Sequence, residues 1–202
     1  MHLRFCSVGS LQENCYMLSD DDTCILIDPG DEPQTILGML GGRKPDLIII
    51  THHHLDHIGA LAKIVEATGA PVACYVDEAP KILNPEPADQ AQRQGISGVE
   101  KIDKLLEDGE VFTVGNVSLK AIHTPGHTEG GMCIFDEADG ALFSGDTLFY
   151  RTHGRTDFPG GDAKKMEESL LKLSELPADT MVFPGHGQGT TIGDENIWIK
   201  RL

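Results

Sequence analysis

Four histidines and an aspartate crowd one short stretch of the chain, Thr51-His52-His53-His54-Leu55-Asp56-His57. Counted from His52, it reads H-x-H-x-D-H. His52 and His54 stand two apart just after the aliphatic run 47–50, and in extended backbone such residues project from the same side. Asp56 and His57 follow at the start of the next helix, where the turning chain can offer a second pair of donors. Neutral imidazole nitrogen and carboxylate oxygen suit Zn²⁺ and similar divalent ions. Three further polar residues share this setting: His127 in Thr124-Pro125-Gly126-His127-Thr128, Asp146 in Ser144-Gly145-Asp146-Thr147, and His186 in Pro184-Gly185-His186-Gly187. Each follows an apolar run and has glycine or proline close by, as loops that carry function on a rigid scaffold do. One such histidine would more often be a surface or core residue, and Asp146 alone could be a turn former. The ordered set of seven outweighs those readings. Five histidines and two aspartates exceed what one ion needs, so two adjacent metal ions are expected.

The elements that must hold these residues follow from periodicity and turn chemistry. Short β runs are predicted at 2–7, 14–18 and 24–28, each closed by a turn: Gly9-Ser10, Ser19-Asp20-Asp21-Asp22 and Pro29-Gly30-Asp31. A helix is predicted over 32–40, with Pro33 in its first turn and Gly41-Gly42 ending it. Leu47 to Ile50 is apolar without alternation, which predicts a strand covered on both faces. A helix over 58–67 and a strand over 72–76 follow, as in a βαβ passage. Residues 77–99 lack apolar periodicity and suit short surface helices. Further strands are expected at 111–114, 117–123, 132–135, 141–144 and 181–183, with Gly115-Asn116 as a hairpin turn. A helix over 162–173 has Asp162 as N-cap and Met166, Leu170 and Leu173 on one stripe. This order implies two sheets with helices outside them.

At 202 residues the chain fits one domain, 1–202, built from two halves of about 1–105 and 106–202. No repeat relates the halves. The formal net charge of −16 leaves no basic excess for releasing counterions from nucleic acid. The longest apolar run is far short of the ~20 residues a membrane span needs, and Arg4 interrupts any signal-like N-terminus. The five cysteines, at 6, 15, 24, 74 and 133, form no C-x-x-C pair, so a cytoplasmic, reducing setting is expected over a disulfide scaffold.

H-x-H-x-D-H, T-P-G-H-T, S-G-D and P-G-H, in that order, closely resemble the metallo-β-lactamase superfamily over nearly the whole chain. Within it, 123–128, Gly145-Asp146-Thr147-Leu148-Phe149 and Gly154-Arg155-Thr156-Asp157-Phe158 are most similar to single-domain glyoxalase II-like hydrolases. The resemblance implies an α+β fold, a four-layer αβ/βα sandwich. It also implies that His52, His54 and His127 hold one metal, Asp56, His57 and His186 the other, and that Asp146 bridges. His53 and His123 receive no ligand role. Zn is the expected metal, with Fe or Mn able to replace it.

The implied activity is hydrolysis of a thioester or small ester, like that of hydroxyacylglutathione hydrolases. Two divalent ions lower the pKa of a shared water to about 7, so a bridging hydroxide attacks the carbonyl without a Ser or Cys nucleophile. Asp56 is placed to orient that hydroxide and is the candidate catalytic residue. The alternatives are a mononuclear iron enzyme of the persulfide dioxygenase type and a non-catalytic metal-binding protein. Many β-lactamases of this fold carry cysteine where Asp146 stands, so antibiotic hydrolysis is not expected. The loop 149–162 supplies candidate substrate contacts in Tyr150, Arg151 and Arg155, although Arg155 could instead pair with Asp157 to brace the loop. Only 16 residues follow His186, too few for the C-terminal helical region that glyoxalase II enzymes use on glutathione, so the carrier stays open. The expected partner is a small-molecule substrate, and Ile197, Trp198 and Ile199 near the end are expected to pack either against the domain or against a second subunit in a homodimer.

Overall fold

The β runs that open the chain are short and separated by tight turns, so each pairs with its neighbour in sequence. β1 (His2–Val8), β2 (Glu13–Ser19) and β3 (Cys24–Ile27) form an antiparallel meander. Beyond β3 the connections lengthen and the pairing becomes parallel. α1 (Pro33–Leu40) leads to β4 (Leu47–Ile50), and α2 (Leu55–Ile58) and α3 (Leu61–Thr68) lead to β5 (Val72–Tyr75). A 3₁₀ turn (Val76–Glu78), α4 (Ala79–Leu83) and α5 (Ala88–Gln94) lead to β6 (Lys104–Leu106). The six-stranded sheet runs β1-β2-β3-β4-β5-β6. The computed structural model describes residues 1–202, the side chain of Ala88 excepted. The chain divides into two units, Met1–Leu106 with Thr113–Val117, and Glu107–Phe112 with Ser118–Leu202.

In the first unit every residue of β4 is buried, as the absence of alternation predicted. Ile36 and Leu40 of α1 and Leu61 and Ile64 of α3 close over Leu26, Ile48, Ile50 and Val72. Fully burying one such aliphatic is worth roughly 1.5–3 kcal/mol, which makes this layer a rigid base for the residues that follow β4. The expected helix over 58–67 is broken. α2 ends at Ile58 and α3 begins at Leu61, because the backbone between them is tied to the β3–α1 loop. Ala60 N–H donates to Pro29 O at 3.0 Å, and a Cβ on Gly59 would fall 2.3 Å from Gly30 O.

The second sheet comprises β7 (Val111–Val114), β8 (Val117–His123), β9 (Met132–Asp136), β10 (Ala141–Gly145), β13 (Met181–Pro184) and β14 (Thr190–Thr191), in the order β14-β13-β10-β9-β8-β7. β10 and β13 are parallel, linked through a two-stranded hairpin and a helix; the hairpin is β11 (Leu148–Phe149) with β12 (Thr152–His153), the helix α6 (Ala163–Leu173). The predicted N-cap is present: Asp162 accepts from the backbone N–H of Lys164 and Lys165. Met166, Leu170 and Leu173 bury the apolar stripe of α6 against Leu142, Val182 and Ile199, the last from α7 (Ile192–Ile199).

β6, β14 and the β11–β12 hairpin carry two or three residues each, too few for any periodicity to show. β13 forms where a strand is expected and is buried at alternate positions, with Met181 exposed and Val182 and Pro184 inward. Among the described residues no helix is long and apolar enough to cross a membrane.

Candidate metal centre

In the first unit, β4 delivers the chain to Thr51 and the histidine stretch follows before α2 begins. The rings of His52 and His54 lie 4.8 Å apart, edge to face, and those of His52 and His57 lie 4.1 Å apart. His57 is completely buried, and its Nε2 is 3.9 Å from Asp56 Oδ2. His53, the residue between the paired histidines, turns away. Its Nδ1 and backbone N–H meet Glu78 Oε2 at 2.5 and 2.8 Å, so it anchors the turn to the 3₁₀ segment.

The sequence reading missed a carboxylate that organises this turn. Asp28, at the end of β3, sits beside His52 and His57. His57 Nδ1 donates to Asp28 Oδ2 at 3.0 Å, while Thr51 donates to the same carboxylate from N (2.7 Å) and Oγ1 (2.5 Å). A carboxylate accepts only, so the His57 proton is held on Nδ1 and the lone pair is left on Nε2, the form a metal takes. Asp28 adopts φ +49°, a left-handed conformation uncommon outside glycine, to reach this position. The signal was present in the sequence, since Asp28 stands at a strand end before Pro29-Gly30. Gly30 itself is required by close approach: a Cβ there would lie 1.9 Å from Asp56 O and 2.3 Å from Glu13 Oε2. Glu13 is buried with an oxygen 3.9 Å from His57 Nδ1.

Replacing Asp28 with alanine should lower metal affinity about 10–100-fold, the usual cost of losing a group that orients a ligand. Competition with a chromogenic chelator reads this directly; unchanged affinity would remove Asp28 from the support of His57.

In the second unit, Asp146, His127 and His186 converge. Asp146 Oδ2 lies 3.5 Å from His127 Nε2 and 3.7 Å from His186 Nε2. His127 Nδ1 donates to the carbonyl of Arg155 at 2.7 Å, and a carbonyl too can only accept. His127, like His57, therefore presents Nε2 with its lone pair free of a proton. Around them the backbone is locked. Gly126 has φ +136° and a Cβ there would meet Met166 N at 2.4 Å, so the loop carrying His127 rests directly on the first turn of α6. A Cβ on Gly154 would fall 1.9 Å from Asp146 O. Thr124 and Thr147 share a hydroxyl bond of 2.8 Å, and Gly185 N–H donates to Gly145 O at 2.8 Å. Phe149 meets the His186 ring edge-on at 6.2 Å.

His123 stays apart from this cluster, its Nε2 on Glu129 O at 2.9 Å. Cys133 lies fully buried, and burial pushes its thiol up to about 11. At the hairpin tip Arg151 lies over the Tyr150 ring at 4.9 Å. Its backbone, at φ +59°, is fixed by Glu195 of α7, whose Oε2 accepts from Arg151 N at 2.8 Å. Arg155 grips Asp157 through two bonds of 2.7 and 2.8 Å and stacks on Phe158; that guanidinium holds the Asp157 carboxyl down at about 2.

Both units thus carry buried imidazoles with an assigned tautomer next to carboxylate oxygen, a donor set that fits a divalent metal of the Zn, Fe or Mn type.

Residues 8–186 match the metallo-beta-lactamase superfamily. A hydroxyacylglutathione hydrolase, GloC of Haemophilus influenzae, is 32% identical, with 96% of this chain and 95% of that protein covered. Among solved structures, TTHA1623 in a di-iron-bound form is 39% identical at a TM-score of 0.84, covering 95% of this chain and 96% of that one. BLEG-1 B3 metallo-beta-lactamase is 33% identical at a TM-score of 0.89, covering 97% of both chains. With its strand-end histidines and aspartates and its mixed α+β architecture, this chain belongs to the metallo-beta-lactamase superfamily.

Proposed function

We propose that the chain is a dinuclear metal-dependent hydrolase of thioesters or small esters, of the hydroxyacylglutathione hydrolase kind. His52, His54 and His127 would hold one ion, Asp56, His57 and His186 the other, and Asp146 would contact both. The observation that carries the reading is Asp146 Oδ2 between two imidazole Nε2 atoms, 3.5 and 3.7 Å away. A carboxylate oxygen flanked in this way is a natural bridge between two cations. When bound, such ions supply Lewis acidity and make hydroxide available near neutral pH. The protein's own contribution is to hold ligand tautomers, through Asp28 on His57 and Arg155 O on His127, and to place the Asp56 carboxylate, partly open to solvent, where it would orient the attacking water.

The relative GloC supports thioester chemistry over other reactions of the superfamily. Tyr150 and Arg151 are the proposed contacts for the anionic end of the substrate, because Glu195 holds the Arg151 backbone at the hairpin tip and the Arg151 guanidinium lies over the Tyr150 ring. Arg155 would join them only by leaving Asp157. A cytoplasmic setting belongs to the same proposal and is supported by five free thiols.

The test couples metal quantitation on purified protein to hydrolysis of S-lactoylglutathione. About two equivalents of divalent metal per chain are expected, with turnover lost on chelation and restored by metal. One equivalent of iron together with oxygen consumption on a persulfide would overturn the hydrolase reading. Turnover of a β-lactam but not the thioester would overturn the substrate class.

A further inference from the structure

Cys6 and Cys15 face one another directly across the β1–β2 ladder. The next rung, Phe5 opposite Tyr16, points to the other side of the sheet, where the two rings meet at a tilt with centroids 5.9 Å apart. The cysteines share the side that packs on α1: Cys15 is fully buried among Met17, Leu26 and Ile36, and Cys6 is half-buried at the margin of that core. Both are free thiols. None of the other three cysteines meets a cysteine across its ladder. Cys24 opposes Ser19, Cys133 opposes Ile122, and Cys74 lies between Ile50 and Leu105.

Directly opposed residues in an antiparallel pair keep their Cβ atoms about 4.5–5.5 Å apart. A disulfide needs about 3.5–4.5 Å, so about an ångström of closure joins them, with no change of register. Cys15, opposite it, draws the Cys6 thiol below its ordinary value, while burial holds Cys15 well above. Burial differentiates the pair into an outer sulfur that peroxide can reach, Cys6, and an enclosed one that can resolve it, Cys15. Glu32, beside Cys6, opposes its ionisation without cancelling the effect of Cys15.

We propose that Cys6 and Cys15 form an oxidation site that closes to a cross-strand disulfide on exposure to hydrogen peroxide. The Cys6 thiolate attacks one peroxide oxygen, the O–O bond breaks, and the departing hydroxide takes the thiol's proton to leave as water. Cys6 is then a sulfenic acid. The Cys15 sulfur attacks it, the S–S bond forms, the S–O bond breaks, and the released hydroxide leaves with the Cys15 proton as a second water. Two thiols lose two electrons and peroxide gains them. A reversible bond of this kind is compatible with a reducing compartment, where protein disulfides are transient and responsive. The modification also lies on the strand that backs the histidine turn, since Glu13, two residues before Cys15, reaches toward His57.

Treating the folded full-length chain with peroxide tests this without any substrate. Free thiols, counted after denaturation, should fall from five to three and return with dithiothreitol. Peptide mapping should link the Cys6 and Cys15 segments with a loss of about 2 Da. Cys6→Ser should slow thiol loss by at least about tenfold, and Cys15→Ala should leave Cys6 trapped as a sulfenic acid that reacts with dimedone. Survival of all five thiols, a link between other cysteines, or unchanged oxidation in Cys6→Ser would each overturn the proposal. Cys15 packs in the core, so the exposed-margin variant Cys6→Ser decides the matter if Cys15→Ala does not fold.

Discussion

Asp146→Ala is expected to reduce kcat/KM on a thioester substrate at least about a thousandfold, equivalent to ~4 kcal/mol of transition-state stabilisation. Bound metal should fall in parallel from about two equivalents to one or fewer. The reason is positional. Asp146 Oδ2 faces the Nε2 atoms of both His127 and His186, so one substitution withdraws the negative charge that two neighbouring cations would share. Without it, Asp56 would be the one carboxylate left in the proposed ligand set, and the weaker screening of two like charges would favour loss of one ion. The loop itself should survive, because its shape rests on contacts that do not use the carboxylate. Gly154 packs on the Asp146 carbonyl, and Thr147 N–H donates to Ser144 O at 3.0 Å. Circular dichroism therefore separates loss of metal from loss of fold. A folded Asp146→Ala protein with normal metal content and turnover would remove the bridge.

Asp56→Asn should lower kcat by about 10²–10⁴ while leaving KM within about twofold, the span a general base contributes. The amide keeps an oxygen that can still bind metal, but it cannot accept a proton. Asp56 stands on the first turn of α2, partly open to solvent, where a water can reach it. Its neighbour His57 is wholly enclosed, and the two therefore divide the work: one carboxylate that meets water, one imidazole that does not. Full activity with metal retained in the variant would assign Asp56 a binding role only. A matched fall in kcat and metal content would show that the amide no longer serves as ligand. The two substitutions are distinguishable because Asp146→Ala acts on stoichiometry and Asp56→Asn on turnover.

The meander, the βαβ passage and the capped α6 were legible because their signals are local: aliphatic runs, Gly and Pro at the turns, and Asp162 three residues ahead of Lys165. The helix expected over 58–67 is present from Leu61 but interrupted at Gly59 and Ala60, for the opposite reason. Gly59 and Ala60 carry no strong breaker in the sequence, and what divides the helix is a hydrogen bond to Pro29 and the nearness of Gly30, about thirty residues earlier. The same applies to Glu195. A glutamate in the closing helix gives no sign that it anchors Arg151, accepts from Thr190 and binds the indole of Trp198. The opposition of Cys6 and Cys15 needs only the β1–β2 register, yet that register depends on the four-residue turn between the strands.

The candidate donors and their placement at strand ends were legible in the sequence alone, because residue type sets ligand chemistry and a two-residue spacing after a strand sets the facing side. The sequence also placed His53 outside the ligand pattern. Which nitrogen His57 and His127 can offer was settled by folding. That choice rests on Asp28, which reaches His57 from a strand 29 residues away, and on the carbonyl of Arg155, which reaches His127 across 28 residues. A tautomer is fixed by whatever acceptor faces the other ring nitrogen, and no local pattern records which distant residue folding will bring there.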